Sequence, residues 1–224
     1  MQDTAKVYDQ MADMQMGDDH DTIGQNPRAG LSGFGMGVIL ETNEGPQPVE
    51  WMRAGDLVLT RDHGYQRVRW VGRSETSQTP PIRVFAHAFG YGCPEHDLVL
   101  SPHHHLLMSS PLMPLYFAED EVLAPIGAMS AQIDDMFDTP NSNPTLCHML
   151  FDHHEVIFAE GVWLESLFPD PQCLDLLGAT AEHEMRDAIG NTVDTMVTAR
   201  MVLNTREVAL LQPRTDVAAR RMVA

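Results

Sequence analysis

A chain of 224 residues with 43% hydrophobic content can bury a real core, as one large domain or two small ones. Its formal net charge of −18 argues against nucleic acid as a partner, since phosphates would be repelled, and against an anionic membrane surface. No stretch is long and apolar enough to span a bilayer, and the acidic N-terminus is not a secretory signal. The expectation is a cytoplasmic chain, or one exported without a cleavable signal peptide.

In chain order, residues 1–32 read as a flexible acidic leader carrying Asp13, Asp18, Asp19 and Asp21 and ending at Asn26-Pro27 and Gly30. Val7, Met11 and Met14 have helical spacing, but the composition is that of a solvated tail. From 33 to 168 the texture is β. Strands are predicted over 37–42, 57–60, 66–73, 82–85, 98–101, 105–108, 145–151 and 155–159. They are separated by turn chemistry at Gly45-Pro46, Asp62-His63-Gly64, Pro80-Pro81, Gly90-Tyr91-Gly92 and Ser101-Pro102. Residues 120–145 read as a polar connection, with a strand edge at Ala124-Pro125-Ile126 and a surface loop over 134–138. Past Phe168-Pro169-Asp170-Pro171 the texture changes, and helices are predicted over 179–189 and 193–203, closed by Pro213. Many short strands with few long helices imply an all-β domain over 33–168, and 169–224 a helical C-terminal extension.

Cys93, Cys147 and Cys173 are an odd number without CxxC spacing, so buried thiols are expected in place of a disulfide framework or a thiolate zinc site. The eleven histidines invite a metal reading. Yet His103, His104 and His105 are consecutive, and neighbours on an extended chain face opposite ways. A site from His104, His154 and Asp152 lacks any HExxH-like spacing. No metal and no cofactor is expected.

Three motifs, in order, carry a family resemblance. The first is Val49-Glu50-Trp51-Met52-Arg53-Ala54-Gly55-Asp56-Leu57-Val58-Leu59-Thr60-Arg61-Asp62, an amphipathic turn, a Gly-Asp reversal and an alternating strand. The second is Ser101-Pro102-His103-His104, where two polar side chains three residues apart follow a strand. The third is Asp152-His153-His154-Glu155, continued by Ala159-Glu160-Gly161 and Glu165-Ser166. Together they resemble the Hedgehog/intein (Hint) family of self-cleaving domains, and the third motif is closest to its bacterial, Hedgehog-like branch.

The resemblance implies an all-β, horseshoe-like Hint fold and autocatalytic processing: an intramolecular acyl shift followed by peptide-bond cleavage. The substrate would be the chain's own N-terminal segment; the sequence names no protein partner. Ser101 and His104 match the family's Thr/Ser-x-x-His, whose histidine protonates the scissile amide nitrogen, a task suited to a group that titrates near neutrality. Asp152 would orient His154 or activate an incoming nucleophile, or simply cap a turn. Inteins end this region on His-Asn; Ser166 has no amide to cyclise, which excludes full splicing.

The family opens on Cys-Phe, and the matching run here is Gly33-Phe34-Gly35-Met36-Gly37. Gly33 has no nucleophile. The expectation is therefore a degenerate, non-catalytic Hint domain, the alternative being an active one that uses Ser32, whose hydroxyl would need a base. On either reading Ser101, His104, Asp152 and His154 should converge on Gly33, with His104 nearest its amide and His103 and His105 pointing elsewhere.

Overall fold

In a computed structural model, described over residues 30–75, 80–132, 135–140 and 144–211, short apolar runs broken by glycine and proline form strands. The acidic leader up to residue 29, Asp134 and Pro213 lie outside the described residues. The strands are β1 (Phe34–Gly35), β2 (Ile39–Thr42), β3 (Gly45–Pro48), β4 (Leu57–Thr60), β5 (Gly64–Arg67), β6 (Trp70–Glu75), β7 (Ile82–Val84), β8 (Leu98–Leu100) and β9 (His105–Ser109). They continue with β10 (Glu121–Pro125), β11 (Phe137–Asp138), β12 (Thr145–Leu150), β13 (Val156–Ala159), β14 (Val162–Glu165) and β15 (Met201–Val202). Helices are α1 (Met113–Phe117), α2 (Ile126–Ser130), α3 (Pro171–Leu177), α4 (Ala179–Ile189), α5 (Thr192–Thr195) and α6 (Thr205–Val208). The chain is a mostly β structure with some helices.

Among the described residues the strands form two sheets. One runs β11-β7-β8-β1-β12-β6; the other runs β15-β10-β9-β14-β13-β2-β4-β5, with β3 paired to β2. Turn chemistry sets the hairpins. Between β13 and β14 only Glu160 and Gly161 intervene, at φ 48° and 80°, the two positive values a two-residue hairpin of this kind requires. Any Cβ on Gly161 would stand 2.3 Å from the Gly92 carbonyl oxygen. In the Gly-Asp reversal before β4, Gly55 sits at φ 108° and the Asp56 carboxylate accepts the Arg53 N–H at 2.8 Å.

The main core draws on both sheets and includes Phe34, Leu40, Val58, Leu100, Leu106, Met149 and Ile157. A second cluster joins Trp70 and Leu150 of the smaller sheet to Leu167, Cys173, Leu174, Met185 and Val193. It covers the outer side of β12 and β6, so β12 is buried on both faces and reads as an unbroken apolar run. The Trp70 indole N–H donates to Glu184 at 2.8 Å and pins α4 there.

Four sequence expectations need correction. Gly45-Pro46, read as a turn, opens β3. The connection over 120–145 contains β10, whose Val122, Leu123 and Ala124 are fully buried between β9 and β15, so it is an interior strand. Phe137, read as part of a surface loop, is buried in β11. The helix over 193–203 stops at Thr195, and Met201–Val202 instead pairs in parallel with β10. Arg200, bound to Glu121 and Asp62, holds that strand in place. Helix-forming residues there are overridden by an available sheet edge. All three cysteines are buried.

Candidate functional site

The start of β1 is held by its neighbours in the sheet. Phe34 pairs with Leu100 of β8 on one side and Cys147 of β12 on the other. Ser101, one residue past β8, and His148, inside β12, therefore flank residues 31–33. The Ser101 hydroxyl donates to the Leu31 carbonyl at 2.6 Å, and its backbone N–H donates to the Gly33 carbonyl at 2.9 Å. Between them, His148 Nδ1 donates to the Ser32 carbonyl at 2.6 Å. A carbonyl can only accept, so the proton is on Nδ1. Burial pushes the His148 pKa down to about 4, opposed by the Ser32 contact, so the ring is neutral near pH 7. Its Nε2 then accepts, and the Ser74 hydroxyl donates to it at 2.8 Å.

Gly33 faces that imidazole. A Cβ built on it would lie 2.7 Å from His148 Cε1, 2.9 Å from Nδ1 and 3.0 Å from the Leu146 Cβ. The space a side chain at 33 would need is occupied by a ring fixed at both nitrogens.

In the turn Ser101–His104 the His104 N–H donates back to the Ser101 carbonyl at 3.0 Å. The His104 ring is buried edge-on against Phe34, centroids 4.4 Å apart. Neither ring nitrogen makes a well-aligned hydrogen bond, although the Gly33 backbone lies close enough to favour the protonated form. Burial dominates and lowers the His104 pKa to about 4. At neutral pH this ring holds one proton and is a poor general acid. Ser101 and His104 thus both lie beside residues 31–33.

His103 and His105 alternate to another side, where they line a small cleft with Ser32, Glu165, Asp170 and Cys173. Gly30, at φ 128°, packs so closely under His103 that a Cβ would stand 2.3 Å from the ring. His105 is buried and its Nδ1 donates to Glu165 Oε1 at 2.5 Å; its backbone N–H adds a second bond to the same oxygen at 3.2 Å. His154 Nε2 lies 3.3 Å from Glu165 Oε2. Its Nδ1 accepts the Ala199 N–H at 2.9 Å, so the ring proton is on Nε2 and faces the carboxylate. Glu165, with none of its surface exposed, is therefore clasped between two histidines.

Asp152 takes another partner. It is half-exposed and paired with Arg69 at 2.7 Å, and the carboxylate beside His154 is Glu165. Ser166 is buried, with its hydroxyl accepting the Glu155 N–H at 2.9 Å. On its far side His154 borders a wider groove with His63, His153 and residues 192–200. Among the described residues no group of three His, Cys, Asp or Glu is arranged to hold a metal ion, and no helix is long and apolar enough to cross a membrane.

Sequence reasoning missed His148, His105 and Glu165. Two had a signal: His148 interrupts the apolar run Leu146-Cys147-His148-Met149-Leu150, and Glu165 ends the apolar strand Val162-Trp163-Leu164. A polar residue at a buried strand position needs a partner, and that partner is a place to look for function.

A family model described as "Hint domain" matches residues 32–171. Among solved structures, the chain is similar to the gp41-1 intein, with 14% identity over 60% of this chain and 98% of that one, at a TM-score of 0.38. It is also similar to a bacterial intein-like domain from Clostridium thermocellum (11% identity, 60% and 97% covered, TM-score 0.40). A third match is a splice-inactive variant of the AceL NrdHF class 3 split intein (9% identity, 60% and 97% covered, TM-score 0.41). Among curated proteins none matches.

Proposed function

Since the chain belongs to the Hint domain family over residues 32–171, we propose that it is a processing-type domain in which the reaction initiated at position 33 is extinct. The reaction lost is an intramolecular acyl shift that cleaves the chain's own N-terminal segment from the domain. One observation carries this reading: Gly33 offers no nucleophile, and the His148 ring stands within 2.7 Å of where its Cβ would be. The loss is more than a missing sulfur, because the neighbouring strand has closed over the vacancy. His104, at a pKa of about 4, is likewise tuned for burial and not for protonating a leaving amide.

The test is intact mass. Incubated with a strong thiol, the full chain should show no break between Ser32 and Gly33, and Gly33→Cys by itself should not restore one. A thiol-dependent fragment ending at Ser32 in the unsubstituted chain would overturn the reading. The second reading, with Ser32 as nucleophile, is favoured by the Ser101 hydroxyl on the Leu31 carbonyl, the group that Ser32 would attack.

A further inference from the structure

One part of the surface departs from the acidity of the chain. Residues 49–56 link β3 to β4 through a single 3₁₀ turn and the Gly-Asp reversal, anchored by Val49 and Met52 in the main core. Trp51, between those anchors, is 65% exposed, and Met36 is 56% exposed. The Gly37 N–H donates to the Glu50 carboxylate at 2.8 Å, which ties the Met36 turn to the Trp51 turn. An indole and a thioether are thus presented to solvent from backbone that is already fixed, so a partner would lose little of its contact energy to ordering them.

Three arginines border this stretch or lie within it, and all are exposed: Arg53, Arg67 and Arg73. Arg67 donates to the Gly55 carbonyl at 3.1 Å, and Arg73 donates to the Glu50 carbonyl at 2.7 Å. Among the described residues none of the three pairs with a carboxylate, whereas Arg61, Arg69, Arg186 and Arg200 all do. The carboxylates at hand, Glu50 and Asp56, accept the backbone N–H groups of Gly37 and Arg53. In a chain of net charge −18 acids are plentiful, yet these guanidiniums stand together without one around an exposed indole. Forked donors beside an aromatic face suit an acidic segment with apolar side chains.

We propose that this surface, built from Met36, Trp51, Arg53, Arg67 and Arg73, docks the chain's own acidic leader, residues 1–29. The leader carries Asp3, Asp9, Asp13, Asp18, Asp19 and Asp21 against Lys6 and Arg28, a charge complementary to the three arginines. Val7, Met11, Met14 and Met16 are interleaved with those aspartates and supply adaptable apolar groups for the indole. The leader is also within reach. The described chain begins at Gly30, and Met36 is six residues further on, so their Cα atoms are at most about 22 Å apart. Residues 1–29 can span that distance several times over. Such a tether holds the leader at an effective concentration of about millimolar, an advantage no separate partner has.

The inference stands apart from the reading of position 33, because it concerns where the leader lies while it is attached; intact mass of every sample checks that attachment. Acrylamide quenching of Trp51 in the full chain is the test, read as the difference between the parent and Trp51→Phe, since Trp70 and Trp163 also fluoresce. With a contact of millimolar strength about half the molecules are docked, so changing the leader aspartates to asparagine should raise Trp51 quenching about twofold. The Arg53 side chain makes no hydrogen bond or ion pair among the described residues, so Arg53→Glu should give the same rise in a folded chain, and Arg53→Lys should give little. In 1 M salt, where charges are screened beyond about 3 Å, the parent should quench like the aspartate variant. A synthetic peptide of residues 1–29 added to that variant should restore the protection. Equal quenching in the parent and the aspartate variant, both folded by circular dichroism, overturns the inference. Protection of Trp51 that disappears on dilution also overturns it, by placing a second copy on the surface. A rise in the aspartate variant that Arg53→Glu does not share overturns it too, since the leader would then cover Trp51 without these arginines.

Discussion

Ser32 and Gly33 are adjacent, yet their surroundings differ in kind. Gly33 abuts a ring locked between Ser74 and the Ser32 carbonyl, in a strand buried on both faces. Ser32 borders a small cleft lined also by His103, His105, Asp170, Cys173 and the Glu165 carboxylate, which lies between two imidazoles. The difference teaches that the room open to a side chain at adjacent positions is set by packing. Beside Gly33 an imidazole of β12 occupies the space; beside Ser32 a polar network lines a cleft. Close-packed interiors do not keep vacancies, whereas solvent-facing sites can.

The largest expected effect tests whether the closed side depends on neutral histidines. His104 and His148 have folded pKa values near 4 against 6.5 unfolded, so the unfolded chain binds protons first. The stabilisation is fully present above pH 6.5, is lost as pH falls toward 4, and levels off below that. Each ring contributes about 3 kcal/mol across this window. His63 and His96 work in the opposite direction, raised by hydrogen bonds to Glu155 and Glu160, but both are exposed and screened. Urea unfolding at pH 7, 5.5 and 4 should show the fall, and His148→Gln should remove about half of it; a flat profile would mean these rings are not buried neutral.

Of similar size is the clasp on the open side. Glu165→Ala leaves the His105 Nδ1–H and His154 Nε2–H facing no carboxylate and should cost about 3–5 kcal/mol in chemical denaturation. Glu165→Gln keeps an acceptor and should cost less. Equal losses would show that the charge, and not the shape, holds the network.

A direct test of the closed pocket is Gly33→Cys. Forcing a Cβ against His148 and Leu146 should destabilise by about 1–3 kcal/mol. His148→Ala relieves the clash, so the double variant should lose clearly less than the sum of the two single losses. Additive losses would separate Gly33 from His148 and dissolve the contrast with Ser32. The smallest effect belongs to Asp152→Asn. Its bond to Arg69 joins two side chains that are each more than a third exposed, so stability should change by less than about 1 kcal/mol.

Legibility in the sequence followed the range of the interactions. Alternation and turn chemistry located β4 at 57–60 to the residue, and helix-forming residues located α4 at 179–189. Ala159-Glu160-Gly161, quoted for its resemblance, spans the β13–β14 hairpin, whose two linking residues take positive φ. By contrast β3 begins on Gly45-Pro46, and β10, β11 and β15 exist because a neighbouring strand accepts them, which no local propensity records. At the site, Ser101 and His104 were legible because they share one turn. The position of Glu165 beside His154, where Asp152 was expected, was not.

By itself the sequence determined the family and the β texture, and it sets Ser32 and Gly33 side by side ahead of the first strand, because each is written in residue type and spacing along a few turns of chain. Only the tertiary structure decided what those residues meet. His148 comes to Ser32 from 116 residues away, and Glu165 to His105 from 60. Those meetings are fixed by strand order, in which β1 lies between β8 and β12 and β14 lies beside β9. Strand order follows from burying whole faces at once, and no short stretch of sequence contains that information.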